Sequence, residues 1–220
     1  MIEITCGGLL FDLDGVLVDS TAAVTRVWSR WAKEHGLDPE QVIKISHGRP
    51  TRETILELLP YADQELENRR VESGETFDTS DVVALPGTHA LLRSLPPDRW
   101  TIVTSCSPGL AKARLRAAGF EIPEKMVTCN DIQNGKPHPE PYLTGAQRLG
   151  IRPESCVVLE DVPAGIRSGK AAGARVIAVR TTAPVEELRT AKADWIVVGC
   201  KSISAKSNGS GLLLMLSESY

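Results

Sequence analysis

The sequence predicts an α/β fold, in which a parallel sheet is covered by helices on both faces and a small α-helical domain is inserted after the first strand. Short apolar runs alternate with helical patterns through most of the chain. Strand, helix and strand at this spacing are typical of right-handed βαβ units. Between about Ser20 and Ala84 only helical patterns occur, and this interruption predicts the inserted domain.

Six runs of apolar and β-branched residues are the predicted strands. The run from Cys156 to Glu160 is almost continuously apolar, as expected for a strand in a sheet covered on both faces. The segment from Lys201 to Gly211 is rich in Ser, Gly and Lys and predicts a loop before a short closing strand. The predicted strands are Gly8–Asp12, Trp100–Thr104, Lys125–Cys129, Cys156–Glu160, Arg175–Val179 and Trp195–Val198.

Three core helices have a proline near the start and a glycine at the end, which are common start and stop signals. They run from Ser107 to Gly119, from His138 to Gly150 and from Val162 to Gly173. Each of them follows a predicted strand, as the crossover helix of a parallel sheet does.

The inserted segment begins with a helix whose apolar residues repeat at i, i+3, i+4 and i+7 from Val24 to Trp31, and Gly36 ends this helix. Two short helices and a longer polar helix, about Ala62 to Thr79, follow it. An all-helical segment does not belong to the parallel sheet, so we expect a second domain that acts as a lid. The expected division is a core of residues 1–18 and 85–220 and a helical cap domain of residues 19–84.

Composition excludes several classes of protein. The 220 residues are 42% hydrophobic and carry 25 basic and 28 acidic side chains, a net charge of −3 with no long run of one sign. This balance argues against binding to nucleic acid or to a membrane surface, and we find no spanning segment or signal peptide. Five widely spaced cysteines without a Cys-x-x-Cys pair predict buried free thiols in a reducing compartment. We therefore expect a cytoplasmic protein that is a monomer or a weak homodimer.

The first predicted strand ends in a pair of carboxylates, Asp12 and Asp14, followed by Gly15. Ligands of open parallel sheets bind outside the carboxyl ends of the strands. Residues i and i+2 of an extended segment point the same way, and glycine allows a sharp turn immediately afterwards. Two buried carboxylates are costly unless a cation lies between them, and Mg²⁺ meets that need. The alternative is that this segment is only a turn.

Other strand ends favour a site over a turn. Thr104 and Ser105 follow the second strand and can donate hydrogen bonds to a phosphate oxygen. Lys136 lies in a proline-containing loop after the third strand and can present a cation. The fourth strand ends in a second acidic pair, Glu160 and Asp161.

This combination resembles the motif set of the haloacid dehalogenase (HAD) superfamily, and the resemblance covers the whole chain. It implies a Rossmann-like, HAD-like parallel-sheet core with an inserted small α-helical cap. Within the superfamily the sequence looks most like sugar-phosphate and glycerol-phosphate phosphatases. The segments that carry the resemblance are Asp12–Ser20, Ile102–Ser105, Gly135–Pro137 and Val158–Gly165.

The resemblance implies a role for each of three catalytic residues. Asp12 would attack phosphorus and become an aspartyl-phosphate, which divides phosphoryl transfer into two easier displacements. Asp14 would protonate the leaving alkoxide and later accept a proton from the hydrolytic water. Lys136, together with Mg²⁺, would screen the charge of Asp12 from that of the phosphate. An aspartate at position 14 indicates phosphate esters as substrates, since dehalogenases need no acid there.

By the same resemblance, Mg²⁺ would be held by the Asp12 carboxylate, the backbone carbonyl of Asp14 and the Asp161 carboxylate. Glu160 would bind it directly or through water. Thr104 would hold a phosphate oxygen, assisted by the backbone N–H of Ser105.

Substrate choice is expected to depend on the cap, because the phosphate site is generic. The candidate substrate-binding residues are His47, Gly48, Arg49 and Arg52. Pro50 departs from the pattern of related sugar phosphatases, in which a basic residue follows His-Gly at one or two positions. This departure leaves open which of the two arginines faces the site.

The sequence therefore predicts a Mg²⁺-dependent phosphatase that acts on small phosphate monoesters of sugars or polyols, of the hexose 6-phosphate, 2-deoxy sugar phosphate or glycerol phosphate type. One alternative is a phosphosugar mutase similar to β-phosphoglucomutase, which would use Asp12 and Asp14 in the same way. The other is a non-catalytic binding protein that keeps the fold.

Overall fold

The computed structural model describes residues 1–46, 49–209 and 211–217. Within these residues, short strands and helices alternate along most of the chain. The strands are β1 Ile2–Cys6, β2 Gly8–Phe11, β3 Val18–Asp19, β4 Val83–Ala84, β5 Trp100–Ile102, β6 Cys156–Glu160, β7 Arg175–Val179, β8 Trp195–Val197, β9 Ile203–Ser207 and β10 Leu212–Leu216. The α-helices are α1 Thr21–Glu34, α2 Pro39–Ser46, α3 Thr51–Leu58, α4 Gln64–Phe77, α5 Thr88–Arg93, α6 Pro108–Ala117, α7 Glu140–Leu149, α8 Pro163–Ala171 and α9 Val185–Thr190.

The central sheet is parallel, with the strand order β5-β2-β6-β7-β8. All side chains of β2 and β6 are buried. Successive residues of a strand point to opposite faces, so Leu9 and Phe11 join one apolar core and Leu10 joins another on the other face. The predicted fold class, an α/β protein with a covered parallel sheet, is confirmed.

Helices α1 to α4 lie between β3 and β4 in the chain, and we call them the helical insert. The two flanking strands pair antiparallel, Val18 with Ala84, so the chain leaves the core and returns to it at one place. The insert has its own apolar cluster, in which Val27, Trp28 and Trp31 of α1 are buried. The helix predicted from the apolar stripe between Val24 and Trp31 is thus confirmed.

Two predictions of secondary structure are wrong. The segment Lys125–Cys129 is not a strand, because only Val127 makes a parallel bridge to Val103. Immediately afterwards, the Thr128 backbone N–H and hydroxyl donate to the Asp131 carboxylate at 2.8 Å each and start a 3₁₀ turn. A local side-chain cap therefore ends the extended segment after a single bridge.

The predicted loop from Lys201 to Gly211 contains strand β9, which pairs antiparallel with β10, while β1 covers the other edge of β10. Along β9, Ile203 and Ala205 are buried and the polar residues between and after them are exposed. The polar residues of this segment lie on the solvent-exposed face of β9. Their number made the segment look like a loop in the sequence.

The five cysteines are free thiols, four of them buried and Cys129 half-buried, in agreement with the prediction. In the part of the chain that the structure describes, no helix combines the length and hydropathy needed to cross a membrane.

Candidate active site

The acidic residues predicted from the strand ends meet because their strands are neighbours. In the register of the sheet, Phe11 of β2 lies beside Leu159 of β6. Asp12 and Glu160 each come one residue later, and the Asp12 backbone N–H donates to the Leu159 carbonyl at 3.0 Å. Adjacent parallel strands thus bring Asp12, Glu160 and Asp161 to one point at the carboxyl edge of the sheet.

Lys136 lies between two of these carboxylates. Its Nζ is 2.6 Å from Asp12 Oδ1 and 2.7 Å from Glu160 Oε1, and it also donates to the Val103 carbonyl at 3.2 Å. The Tyr142 hydroxyl donates to the same Glu160 oxygen at 2.6 Å. These contacts fix the Lys136 ammonium and the Glu160 carboxylate in a buried position. We call Asp12, Lys136, Glu160 and Asp161 the acidic centre.

The acidic centre has more negative than positive groups. Burial raises the pKa of Asp12 to about 7, with the Glu160 charge adding to this shift and Lys136 opposing it. Burial, together with Glu160 and Asp12, also raises the pKa of Asp161 well above its usual range. Burial alone would lower the pKa of Lys136, but the charges of Asp12 and Glu160 raise it. Three carboxylates face one ammonium, so their full ionisation requires further positive charge.

The acidic centre fits a hard divalent cation. Asp12, Glu160 and Asp161 each offer one carboxylate oxygen, and these oxygens lie within 4.8 Å of one another. Among the residues that the structure describes, Asp161 Oδ1 finds no hydrogen-bond partner although it is buried. Cations such as Mg²⁺ take oxygen ligands of this kind. A bound ion would give this oxygen a partner and would balance the two uncompensated negative charges.

Gly15 allows the loop after β2 to pass directly over this centre. Its φ is +77°, in the left-handed region that favours glycine. A Cβ at this position would lie 1.9 Å from Asp161 Oδ2 and 2.8 Å from Thr182 Oγ1. The position therefore requires glycine both for its backbone conformation and for its distance from Asp161.

Asp14 has different neighbours from Asp12. Its Oδ1 accepts a hydrogen bond from the Ser20 hydroxyl at 2.6 Å. Its Oδ2 accepts from Arg114 Nη1 at 2.8 Å and from the Cys106 thiol at 3.2 Å. The two aspartates of the first motif thus line one cavity but bind separate partners, since Asp12 contacts Lys136 and Asp14 contacts Arg114.

The cavity above the two aspartates is enclosed between the core and the helical insert. Its volume is about 80 Å³, whereas pockets for drug-sized ligands have about 300–1,000 Å³. Thr104 and Ser105 of the core line it, as do Trp28 and Glu75 of the insert. An open groove of about 880 Å³ adjoins it, and Arg49 lines both spaces. The enclosed cavity is therefore smaller than a drug-sized ligand needs, and the adjoining groove is the larger of the two spaces.

The predicted substrate-binding residues have different locations. Arg49 lines the cavity and also pairs with Glu57 at 2.7 Å. Arg52 is not among the described residues that line it. His47 and Gly48 lie outside the described residues. Thr104 Oγ1 accepts a hydrogen bond from the Cys106 backbone N–H at 3.1 Å, so its hydroxyl hydrogen can still be donated.

Sequence reasoning missed Tyr142, Ser20 and Arg114. Tyr142 and Ser20 gave no signal, because a buried tyrosine in a helix and a serine before a helix are ordinary features. Arg114 gave one, because it follows Leu110 by four residues on the buried face of α6. A charged side chain in an apolar stripe needs a buried partner.

The parallel sheet and the acidic centre at its carboxyl edge define an α/β enzyme with a covered active site. The family model described as haloacid dehalogenase-like hydrolase matches residues 9–179. The chain belongs to this family.

The relatives of the chain include named phosphatases. It is 44% identical over 211 residues to hexitol phosphatase A of Escherichia coli (strain K12), covering 94% of this chain and 97% of that protein. It is 35% identical to glycerol-1-phosphate phosphohydrolase 1 of Saccharomyces cerevisiae, covering 92% and 86%. The crystal structure of a hydrolase from Pseudomonas syringae has the same fold, with a TM-score of 0.81 at 22% identity over 89% of this chain and 94% of that one.

Proposed function

We propose that the protein is a Mg²⁺-dependent phosphatase that hydrolyses phosphate monoesters of small sugars or polyols through an aspartyl-phosphate on Asp12. The observation that supports it most is the acidic centre, in which Lys136 holds Asp12 beside Glu160 and Asp161. The substrate class follows the names of the relatives, a hexitol phosphatase and a glycerol-1-phosphate phosphohydrolase.

The proposed reaction begins with attack of an Asp12 carboxylate oxygen on phosphorus. Lys136 keeps that carboxylate oriented and offsets its charge, so that it can approach a phosphate dianion. The Thr104 hydroxyl and the Ser105 backbone N–H donate to phosphoryl oxygens. Mg²⁺, held by Asp12, Asp161, the Asp14 carbonyl and, directly or through water, Glu160, would neutralise charge on the transferring group.

Asp14 performs the proton transfers. It follows Asp12 by two residues and lines the same cavity, so it can reach the ester oxygen that leaves phosphorus. Asp14 gives this oxygen a proton, which allows the alcohol to depart. In the second half of the reaction Asp14 accepts a proton from water, and that water attacks the aspartyl-phosphate and releases inorganic phosphate.

The helical insert serves as the cap domain, with the division 1–18 and 85–220 for the core and 19–84 for the cap. It closes over the cavity with Trp28, Arg49 and Glu75. Closure excludes bulk water from the aspartyl-phosphate, and opening admits substrate.

Phosphate release from a panel of monoesters tests the proposal. The panel contains hexitol and hexose 6-phosphates, 2-deoxyglucose 6-phosphate and glycerol 1-phosphate, each with Mg²⁺ and with a chelator. Asp12→Asn should reduce kcat by at least about 10³-fold. Asp98→Asn is the matched control, because Asp98 is exposed and its ion pair is with the neighbouring Arg99, away from the acidic centre.

Mg²⁺-dependent release that is lost in Asp12→Asn and kept in Asp98→Asn supports the proposal. Equal release by the two variants contradicts the role of Asp12. Isomerisation of β-glucose 1-phosphate without release of phosphate would contradict the proposed phosphatase function and would indicate a mutase.

A further inference from the structure

A buried ion pair joins the helical insert to the core at the wall of the active-site cavity. Arg114 of α6 donates through Nη1 to Asp14 at 2.8 Å and through Nη2 to Glu75 of α4 at 3.1 Å. Both Arg114 and Glu75 are almost fully buried, and both line the cavity. The side chain of Trp28 donates a further hydrogen bond to Glu75.

We propose that Glu75 and Arg114 select substrates whose leaving group is neutral and hydroxylated, and reject those whose leaving group carries a second anion. This inference rests on the proposed phosphatase function and specifies its substrate class. Glu75 is the residue that excludes the anion, and Arg114 is the residue that would otherwise attract it.

The position of the leaving group follows from the proposed reaction. With the phosphoryl group at Asp12 and Thr104, the ester oxygen lies at Asp14, which protonates it. The carbon atoms on that oxygen then occupy the rest of the cavity, which Arg114 and Glu75 line together with Asp14. Arg114 contacts both Asp14 and Glu75.

The charges of Arg114 and Glu75 favour an uncharged leaving group. An unpaired arginine in a cavity would bind a carboxylate or phosphate of the substrate in bidentate fashion. Here the Glu75 carboxylate already pairs with the Arg114 guanidinium at 3.1 Å, so the arginine offers no uncompensated positive charge. A further anion would have to be buried beside Glu75, which is costly in a site of low dielectric constant.

The same wall suits hydroxyl groups. A hydroxyl can donate to the Glu75 carboxylate and accept from a guanidinium N–H. Within the part of the chain that the structure describes, the buried Arg114 Nε has no hydrogen-bond partner, so the arginine keeps one unused donor. A polyol or sugar offers donors and acceptors on successive carbon atoms and can satisfy both residues.

The wild-type enzyme supplies the first test. Glycerol 1-phosphate and 3-phosphoglycerate differ only in a hydroxymethyl group that is replaced by a carboxylate. At about pH 8, where carboxylates are ionised, we expect kcat/KM for 3-phosphoglycerate to be lower by about 100-fold. Equal values for the two compounds would overturn the inference. Absence of phosphate release from every monoester, including the neutral ones, would instead overturn the proposed function.

Glu75→Gln supplies the second test, with Glu67→Gln as its matched control. Glu67 is a buried glutamate of the same helix, but it binds Trp31, His35 and Arg70 within the insert. We expect Glu75→Gln to raise the ratio of kcat/KM for 3-phosphoglycerate to that for glycerol 1-phosphate by about 10-fold. Glu67→Gln should leave this ratio unchanged.

Glu75→Asp keeps the charge and should restore the wild-type ratio, which a merely structural role of Glu75 would not require. A ratio that stays at the wild-type value in a folded Glu75→Gln protein, as judged by its thermal melting, contradicts the inference. If Glu75→Gln does not fold, the comparison of the two substrates in the wild-type enzyme decides.

Discussion

The acidic centre and the contact between α6 and the helical insert are built in opposite ways. In the acidic centre, Asp12 and Glu160 each continue a central strand, and Lys136 bridges them in the core. The contact of Arg114 with Glu75 instead joins a helix of the core to a helix of the insert. The proposed phosphoryl chemistry therefore depends on the pairing of the central strands, whereas the proposed selection of the leaving group depends on how the insert packs against the core.

The two regions also differ in what would satisfy their charges. The acidic centre has an excess of carboxylates and, within the described residues, a buried Asp161 oxygen without a partner, so we expect it to take a cation from outside. At the second region, the insert itself supplies Glu75 as a partner for Arg114. We therefore expect a metal ion to complete the first region, whereas a contact from the insert completes the second.

Among changes outside the catalytic residues, the largest effect is expected from filling the space above the acidic centre. Gly15→Ala would put a Cβ within 1.9 Å of Asp161 Oδ2, and it would also strain a backbone with positive φ. We expect kcat/KM to fall by at least about 100-fold, because the displaced Asp161 no longer supports metal binding. Stability should fall by more than the roughly 1–2 kcal/mol of a left-handed residue alone. Phosphate release and urea unfolding measure the two effects.

Gly36→Ala separates the effect of backbone strain from the effect of the close approach to Asp161. Gly36 also has a positive φ, +67°, but no atom lies within 4 Å of its Cβ position. This variant should lose only the roughly 1–2 kcal/mol of backbone strain and should keep its activity. Equal behaviour of the two alanine variants would show that the distance between Gly15 and Asp161 does not matter.

Sequence patterns were sufficient for the acidic centre because of the geometry of parallel strands. Residues that follow adjacent strands must meet at one edge of the sheet, whatever the rest of the chain does. Asp12, Glu160 and Asp161 could therefore be brought together from strand ends alone. The segment Lys125–Cys129 was wrongly predicted as a strand, but the predicted position of Lys136 did not depend on this. A single parallel bridge at Val127 aligns the chain with the sheet before Lys136.

The same patterns could not reveal the partners of Asp14. A helix pattern predicts which residues are buried but not which face of another helix they meet. Arg114 and Glu75 come together through the packing of α4 on α6. That Arg49 and not Arg52 lines the cavity is likewise a result of tertiary packing. Strand β9 was missed for a related reason, because its pairing with β10 is decided by tertiary contact.

A smaller effect is expected when Mg²⁺ is added and the stability of the protein is measured. The dependence of this stabilisation on pH tests whether the acidic centre needs additional positive charge. Burial raises the pKa of Asp12 from its usual value to about 7. Between about pH 4 and that value the folded protein binds more protons than the unfolded chain, so stability falls as pH rises. Mg²⁺ can replace these protons, and we therefore expect it to stabilise the protein more at high pH.

Thermal melting of the chelated protein, with and without Mg²⁺, measures this effect. A cation at about 100 times its Kd contributes about 2.7 kcal/mol, which corresponds to roughly 5–10 °C for a protein of this size. We expect that increase at about pH 8 and a clearly smaller one at about pH 5, since the carboxylates must lose their protons to bind the ion. Asp161→Asn should lose most of it. An equal increase at both pH values would argue against metal binding at the acidic centre.

The smallest effect is expected from substitution of Arg49 and Arg52 in the insert. It tests whether residues outside the core contribute to substrate specificity. Arg49 lines both the cavity and the adjoining groove, and its pairing with the half-exposed Glu57 contributes little to stability. Arg49→Ala should therefore raise KM for a hexitol phosphate by about 10-fold with little change in kcat, because it removes binding that is equal in the ground and transition states. Arg52→Ala, at a residue that does not line the cavity, should change KM by less than about 2-fold. A larger effect from Arg52 than from Arg49 would contradict this assignment. It would mean that the insert places Arg52 against the substrate in an arrangement that differs from the one that the structure shows.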